Sequence, residues 1–181
     1  MHKELPQVML FLQDAEWPFE YADHTRQITR AIVFDDLGYF YFVRVERDDD
    51  FGKATLIETA GGGVERGEDL ERAIHREIKE ELGAEIDVVC RLGVVEDNYN
   101  LIHRHNVNHY YLCKVRSFGE RHLTKDEAES FHLSTLKLSY EEAWQEYKTR
   151  ATTKLGRLIA AREMPILQRA KEILCCAEKD V

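Results

Sequence analysis

The stretch Gly61-Gly62-Gly63-Val64-Glu65-Arg66-Gly67-Glu68-Asp69-Leu70, running on to Gly83, constrains this chain more than any other. Three consecutive glycines let a backbone take positive φ and approach a ligand or another chain segment closely. Leu70, Ile74, Ile78 and Leu82 follow at helical spacing and form one apolar stripe. The spacing predicts a helix over Glu68–Leu82 with Gly83 as its stop. Glu77, Glu80 and Glu81 lie at i, i+3 and i+4, on one helical face. On a wheel, Glu77 and Glu81 fall beside Leu70 and Ile74, at the edge of the stripe that must pack on a sheet. A merely solvated acidic face would lie opposite that stripe. Carboxylates in this position repel one another, more so when half-buried. A hard divalent cation among their oxygens removes that penalty, and Arg76, with Glu68 as partner near the helix start, offsets part of it. A flexible turn followed by a solvated face is the plain alternative, but it does not link the glycines to the acids.

Around this segment the chain reads as strands interleaved with a few helices. Arg26–Phe34 and Tyr39–Arg47 are rich in Ile, Val, Phe and Tyr and flank Asp35-Asp36-Leu37-Gly38, a hairpin with a glycine-containing turn. Asp48-Asp49-Asp50 ends the second strand as a solvated turn, since the alternating ligands of a calcium loop are missing. Further strands are expected near Leu56–Thr59, Ile86–Arg91, Val94–Tyr99, Val107–Val115 and Phe131–Leu138, with Glu127–Ser130 as loop. Ser139 and Glu142 form a capping box that opens another helix. A last helix is expected over Met164–Ala177 from the spacing of Ile166, Leu167, Ala170, Ile173 and Leu174. The fold class that follows is α/β or α+β with a mixed sheet.

Composition bounds the partners. The 181 residues carry 25 Lys+Arg against 34 Asp+Glu, a formal net charge of −9. That opposes non-specific binding to nucleic acid or to an anionic membrane surface, while a cation held in one cleft still admits a phosphorylated ligand. The early apolar run Val8–Leu12 is far too short for a membrane span of ~20 residues and suits a strand or core-docking segment. Cys90, Cys113, Cys175 and Cys176 have no metal-binding spacing. A reduced, cytoplasmic setting is therefore expected.

Gly62, five residues, Glu68, seven residues, then Arg76-Glu77-Ile78-Lys79-Glu80-Glu81-Leu82-Gly83-Ala84 resembles a complete Nudix box. The resemblance implies the family's α/β/α sandwich with a mixed sheet, here with a C-terminal helix. It suggests an N-terminal segment over 1–24, a Nudix hydrolase domain over 25–152 and a helical extension over 153–181. It implies Mg²⁺ or Mn²⁺ held by Glu77 and Glu81, with Glu80 in or near the inner shell and the Gly61 carbonyl joining. Arg76 and Glu68 resemble the pair that keeps loop and helix in register. A later acid that binds metal or acts as base is sought in Glu127 or Glu129. The implied reaction is MutT-like: water attacks one phosphorus of a diphosphate in a nucleoside diphosphate linked to another moiety. The catalytic set is then Glu77, Glu80, Arg76 and Glu68.

Specificity lies outside the box. Arg44, Arg66, Arg104, His103, His105 and His109 are possible phosphate contacts, although each alone is more often a surface or packing residue. His103 and His105 also resemble an alternate-residue metal pair. Tyr99 stands roughly where dinucleoside-polyphosphate hydrolases of the family often carry a Tyr, and no Pro lies between Pro18 and Pro165. This slightly favours nucleoside polyphosphates over nucleotide sugars. Two other readings differ in class: a nucleotide-sensing module without turnover, and an isopentenyl-diphosphate-isomerase-like enzyme, which needs a cysteine beside a glutamate. The face of the last helix bearing Leu167, Ile173 and Leu174 either docks on its own domain or forms a seam, and the resemblance tilts the expectation towards a homodimer.

Overall fold

Runs of β-branched and aromatic residues become strands in the computed structural model, which describes residues 6–177. In chain order these are β1 (Val8–Leu12), β2 (His24–Phe34), β3 (Phe40–Asp49), β4 (Gly52–Glu58) and β5 (Ala60–Gly63), then α1 (Leu70–Leu82). After them come β6 (Ala84–Tyr99), β7 (Arg104–Phe118), β8 (Ser134–Leu138), α2 (Tyr140–Arg150) and α3 (Lys154–Ala177). The outer ends of the expected flanking segments, residues 1–5 and 178–181, lie outside the described residues.

One mixed sheet has the order β1-β6-β7-β2-β3-β4, with β5 beside β2 and β8 beside β3. β1 runs parallel to β6, and β7 parallel to β2; the other pairs are antiparallel. The expected β2–β3 hairpin forms, but only Val33↔Tyr41 and Phe34↔Phe40 pair across it. Below them β2 turns to β5, from Ile28↔Gly63 to Ala31↔Ala60, while β3 goes with β4 and β8. The two strands therefore part, and the gap between them becomes a cleft.

Alternation along a strand sends neighbouring side chains to opposite faces. Thr29 Oγ1 donates to the Leu70 carbonyl of α1 at 3.4 Å. Its neighbour Arg30 lies 3.6 Å from Glu163 of α3, so α1 and α3 cover opposite faces. This is an α/β/α sandwich. Ile74, Ile78 and Leu82 of α1 are buried in the core, each contributing about 1.5–3 kcal/mol by leaving water. Leu167 is fully buried, and Ile173 and Leu174 pack on the same core, so that face of α3 docks on its own domain.

Several boundaries differ from expectation. α1 begins at Leu70 because Asp69 caps it, accepting from the Arg72 amide at 2.8 Å; Glu68 is left outside and turns elsewhere. Gly83 ends the helix at φ 66°, in the left-handed region that favours glycine. Ile86–Arg91 and Val94–Tyr99 are one strand, β6, whose irregularities at Val88/Cys90 and Arg91/Gly93 are absorbed without a break. The expected loop at Glu127–Ser130 is a π-helical turn over Asp126–Ser130, and the following strand starts at Ser134. α3 starts ten residues earlier than the spacing suggested and passes through Pro165. The expected capping box of α2 is present: the Ser139 amide donates to Glu142 at 2.8 Å, and the Glu142 amide to Ser139 Oγ at 3.2 Å. Among the described residues no helix is long and apolar enough to cross a membrane, and all four cysteines are free thiols.

Candidate functional site

The gap between β2 and β3 is a cleft of about 250 Å³. Arg26, Ile28 and Arg30 enter it from β2, and Val43, Val45 and Arg47 from β3, both sets at the two-residue period of one strand face. Gly61, Gly62 and Gly63 form one wall, Glu77 and Glu81 reach it from α1, and Glu127 faces it from the π-helical turn. Glu58 and Arg104 also line it.

The glycine strand sets how close the acids come. The Gly61 amide donates to Glu81 Oε2 at 2.7 Å. A Cβ added at Gly62 would lie 2.6 Å from the Glu77 carboxylate carbon and both its oxygens, so any side chain there would push that carboxylate off the wall. Glu77 and Glu81 are both under 10% exposed. Burial pushes both carboxyls above the ordinary glutamate range, Glu81 strongly, and the neighbouring acids, Glu127 among them, add to this.

Arg76 ties the loop to the helix. Its Nε and Nη2 donate to the two Glu68 oxygens, each at 2.9 Å, and Nη2 also donates to the Gly63 carbonyl at 3.0 Å. Nη1 donates to Glu77 at 2.7 Å and Glu80 at 3.2 Å. Glu68 first, and then Glu77, hold its guanidinium strongly protonated. Glu80 is turned to this guanidinium and does not line the cleft.

Of the remaining expected residues, the structure brings Glu127 and Arg104 to the cleft and leaves the others elsewhere. Glu129 meets Lys125 at 3.9 Å on the surface. Arg44 lies on the face of β3 opposite Val43 and Val45 and pairs with Glu46 at 2.7 Å. Arg66 is exposed in the turn before α1. Tyr99 is buried behind the cleft, accepting from Arg162 Nη1 at 2.7 Å, with the Arg104 guanidinium 5.2 Å over its ring. His103 stacks on Tyr21, His105 pairs with Glu96, and His109 bonds to Gln27, so these imidazoles serve separate partners. Neither Cys90 nor Cys113 lines the cleft, so no thiol stands beside its glutamates.

Arg26, Arg30, Arg47 and Glu58 line the cleft without having been expected there. The signal was the alternation in β2 and β3: once one cleft residue is fixed, every second residue joins it. Glu58 and Arg30 lead into a buried network behind the cleft. Arg30 lies 3.5 Å from Glu58 and 3.6 Å from Glu163, and Arg162 lies 3.2 Å from Asp97.

As arranged, no three acidic, histidine or cysteine side chains among the described residues converge closely enough to cage a cation. The donor set nevertheless suits a hard divalent ion. Two buried carboxylates on adjacent helical turns, Glu77 and Glu81, supply oxygen donors, and the burial that raises their proton affinity also disfavours their charge until a cation joins them.

A family model described as the NUDIX domain matches residues 24–155. Among solved structures, a NUDIX hydrolase from Nitrosomonas europaea is similar at TM-score 0.60 and 17% identity, covering 78% of this chain and 90% of that one. A MutT protein from Methanosarcina mazei Go1 gives TM-score 0.57 at 16% identity, over 86% and 97% of the two chains. A MutT NUDIX hydrolase from Burkholderia pseudomallei gives 0.54 at 23% identity, over 66% and 87%. Comparison with curated proteins gives no match. With its family model spanning most of the chain and its glycine wall set against an acidic helix, this protein belongs to the Nudix hydrolase family.

Proposed function

We propose that the cleft is a divalent-metal-dependent pyrophosphohydrolase site acting on nucleoside diphosphate derivatives, with Glu77 and Glu81 as the principal ligands of Mg²⁺ or Mn²⁺. The observation that carries this is that Glu77, Glu81 and Glu127 line the same cleft as the glycine wall, together with Arg26, Arg30, Arg47 and Arg104. The chemistry supplied by the metal when bound is neutralisation of non-bridging phosphate oxygens and activation of water. Arg76 fixes the helix against the loop through Glu68 and Gly63, so the Glu77 oxygens hold a set direction.

Glu127 is the best-placed general base. Of the cleft carboxylates, Glu58 meets Arg30 and Arg162, Glu77 meets Arg76, and Glu81 accepts from Gly61. Among the described residues the Glu127 carboxylate accepts only from the Thr124 amide, at 2.7 Å, leaving an oxygen free to take a proton from water. The test is incubation with Mg²⁺ and a panel of nucleoside polyphosphates, dinucleotides and nucleotide sugars, with products identified. Metal-dependent release of a mononucleotide supports the reading; tight binding without products transfers it to the sensing module.

A second prediction comes from the raised carboxyls. Glu81 and Glu77 bind their protons more tightly folded than unfolded. In metal-free protein they therefore cost stability as pH rises from the ordinary glutamate pKa of ~4.3 through their folded values. Metal binding needs the ionised forms. The rise in Tm on adding Mg²⁺ is expected to be small near the bottom of that window and to grow with pH until both groups are ionised. Melting scans at a series of pH values, with and without Mg²⁺, check this. A pH-independent gain places the ion away from these carboxylates.

A further inference from the structure

The arginines around the cleft are not alike. Arg30 pairs with Glu58 and Glu163, Arg47 with Asp49, and Arg76 with three glutamates. Among the described residues Arg26 and Arg104 form no ion pair, although both line the cleft. They stand close enough for charge repulsion: burial first, then the Arg26 charge, presses the Arg104 guanidinium below its ordinary value. Arg26 lies against the glycine wall, its guanidinium within 2.7 Å of where a Gly63 Cβ would sit. Arg104 is braced from behind by the Tyr99 ring.

A second observation lies beside them. Asn106 is opposite Arg26 in the β2–β7 register and two residues beyond Arg104 on the same face of β7. It is fully buried, and neither its amide nitrogen nor its oxygen has a partner; the buried Nε of Arg104 has none either. Buried polar groups are almost always satisfied, so adjacent orphans mark a place completed by a bound group or water. Two uncompensated cations and an idle amide together suit a phosphate.

Resting on the hydrolase reading, we propose that Arg26 and Arg104, backed by Asn106, hold a phosphate of the substrate beyond the scissile linkage. The substrate class that fits is then a nucleoside polyphosphate with three or more phosphates, rather than a nucleotide sugar whose second moiety is uncharged. The acids of α1 attend the linkage that breaks, and the arginine pair anchors the anionic remainder.

Equilibrium binding of inorganic tripolyphosphate in the presence of a chelator isolates this subsite from catalysis. Arg26→Gln and Arg104→Gln are each expected to weaken that binding about tenfold to a hundredfold, as loss of a charge-assisted contact does. Arg116→Gln, at the far end of β7 beside Asp87, leaves it unchanged. Arg26 is exposed, so its variant keeps the fold even if the Arg104 variant does not. In turnover, Arg26→Gln is expected to lower kcat/KM for a nucleoside tetraphosphate at least tenfold more than for a nucleotide sugar of the same base. Equal loss on both substrates, or unchanged tripolyphosphate binding, overturns the subsite. Failure of the hydrolase reading shows differently, as no turnover of any substrate while tripolyphosphate binding and its arginine dependence persist.

Discussion

Glu81→Gln is expected to lower kcat by about 10²–10³-fold or more while the protein stays folded. The substitution keeps the shape of the side chain and an oxygen to accept the Gly61 amide, now at 2.7 Å. What it removes is a negative charge that burial and the Glu77 and Glu127 charges all disfavour in the metal-free fold. The variant should therefore melt no lower, and somewhat higher, than the parent without metal, yet lose most of the Tm gain that Mg²⁺ brings. These opposite movements separate a ligand from a structural residue: a structural carboxylate would lose stability on substitution whether or not metal is added. Turnover within tenfold of the parent, with the Mg²⁺ response intact, would place the ion elsewhere in the cleft.

The part of this site that could be read from the sequence is the part written locally. The spacing of Leu70, Ile74, Ile78 and Leu82 fixes which side of α1 is buried, and a wheel then places Glu77 and Glu81 at its margin. Gly62 adjoining those acids follows from the same short stretch. The opposing wall was not legible in this way. Arg26, Arg30 and Arg47 sit on ordinary-looking strands, and their role depends on β2 and β3 parting after two residue pairs, a property of how β5 and β8 compete for edges. Arg44 illustrates the hazard: one residue from Val43 and Val45, it points to the other face. α3 failed for a related reason. Its apolar stripe through Leu155, Ile159 and Ile166 is interrupted by Arg162 and Glu163, which in a sequence read as a solvated face. They are buried charges, so the helix looked ten residues shorter than it is.

Those two charges carry the largest expected effect on stability. Glu163 is completely buried and accepts from the Thr59 amide and Thr59 hydroxyl, each at 2.8 Å, from the Tyr147 hydroxyl at 2.7 Å and from Arg162 at 3.1 Å. Glu163→Ala orphans these four donors and the Tyr110 hydroxyl, which also donates to Glu163 at 3.4 Å, and leaves Arg162, itself 1% exposed, and Arg30 short of a counter-charge. Breaking one side of a buried pair costs about 3–5 kcal/mol, a large share of the ~5–15 kcal/mol that holds a domain folded. At ~2–4 °C per kcal/mol for a chain of this size, Tm should fall by roughly 10 °C or more. Glu163→Gln retains an acceptor for Thr59 and is expected to lose less. If the cost is mainly the stranded cation, adding Arg162→Met to Glu163→Ala recovers part of it, giving a favourable coupling of about 1–3 kcal/mol in urea unfolding. Strict additivity, or a Glu163→Ala loss below ~1 kcal/mol, would mean that the network is dispensable. A full loss would also move the cleft, because Thr59 and Arg30 line it and are held there by α3.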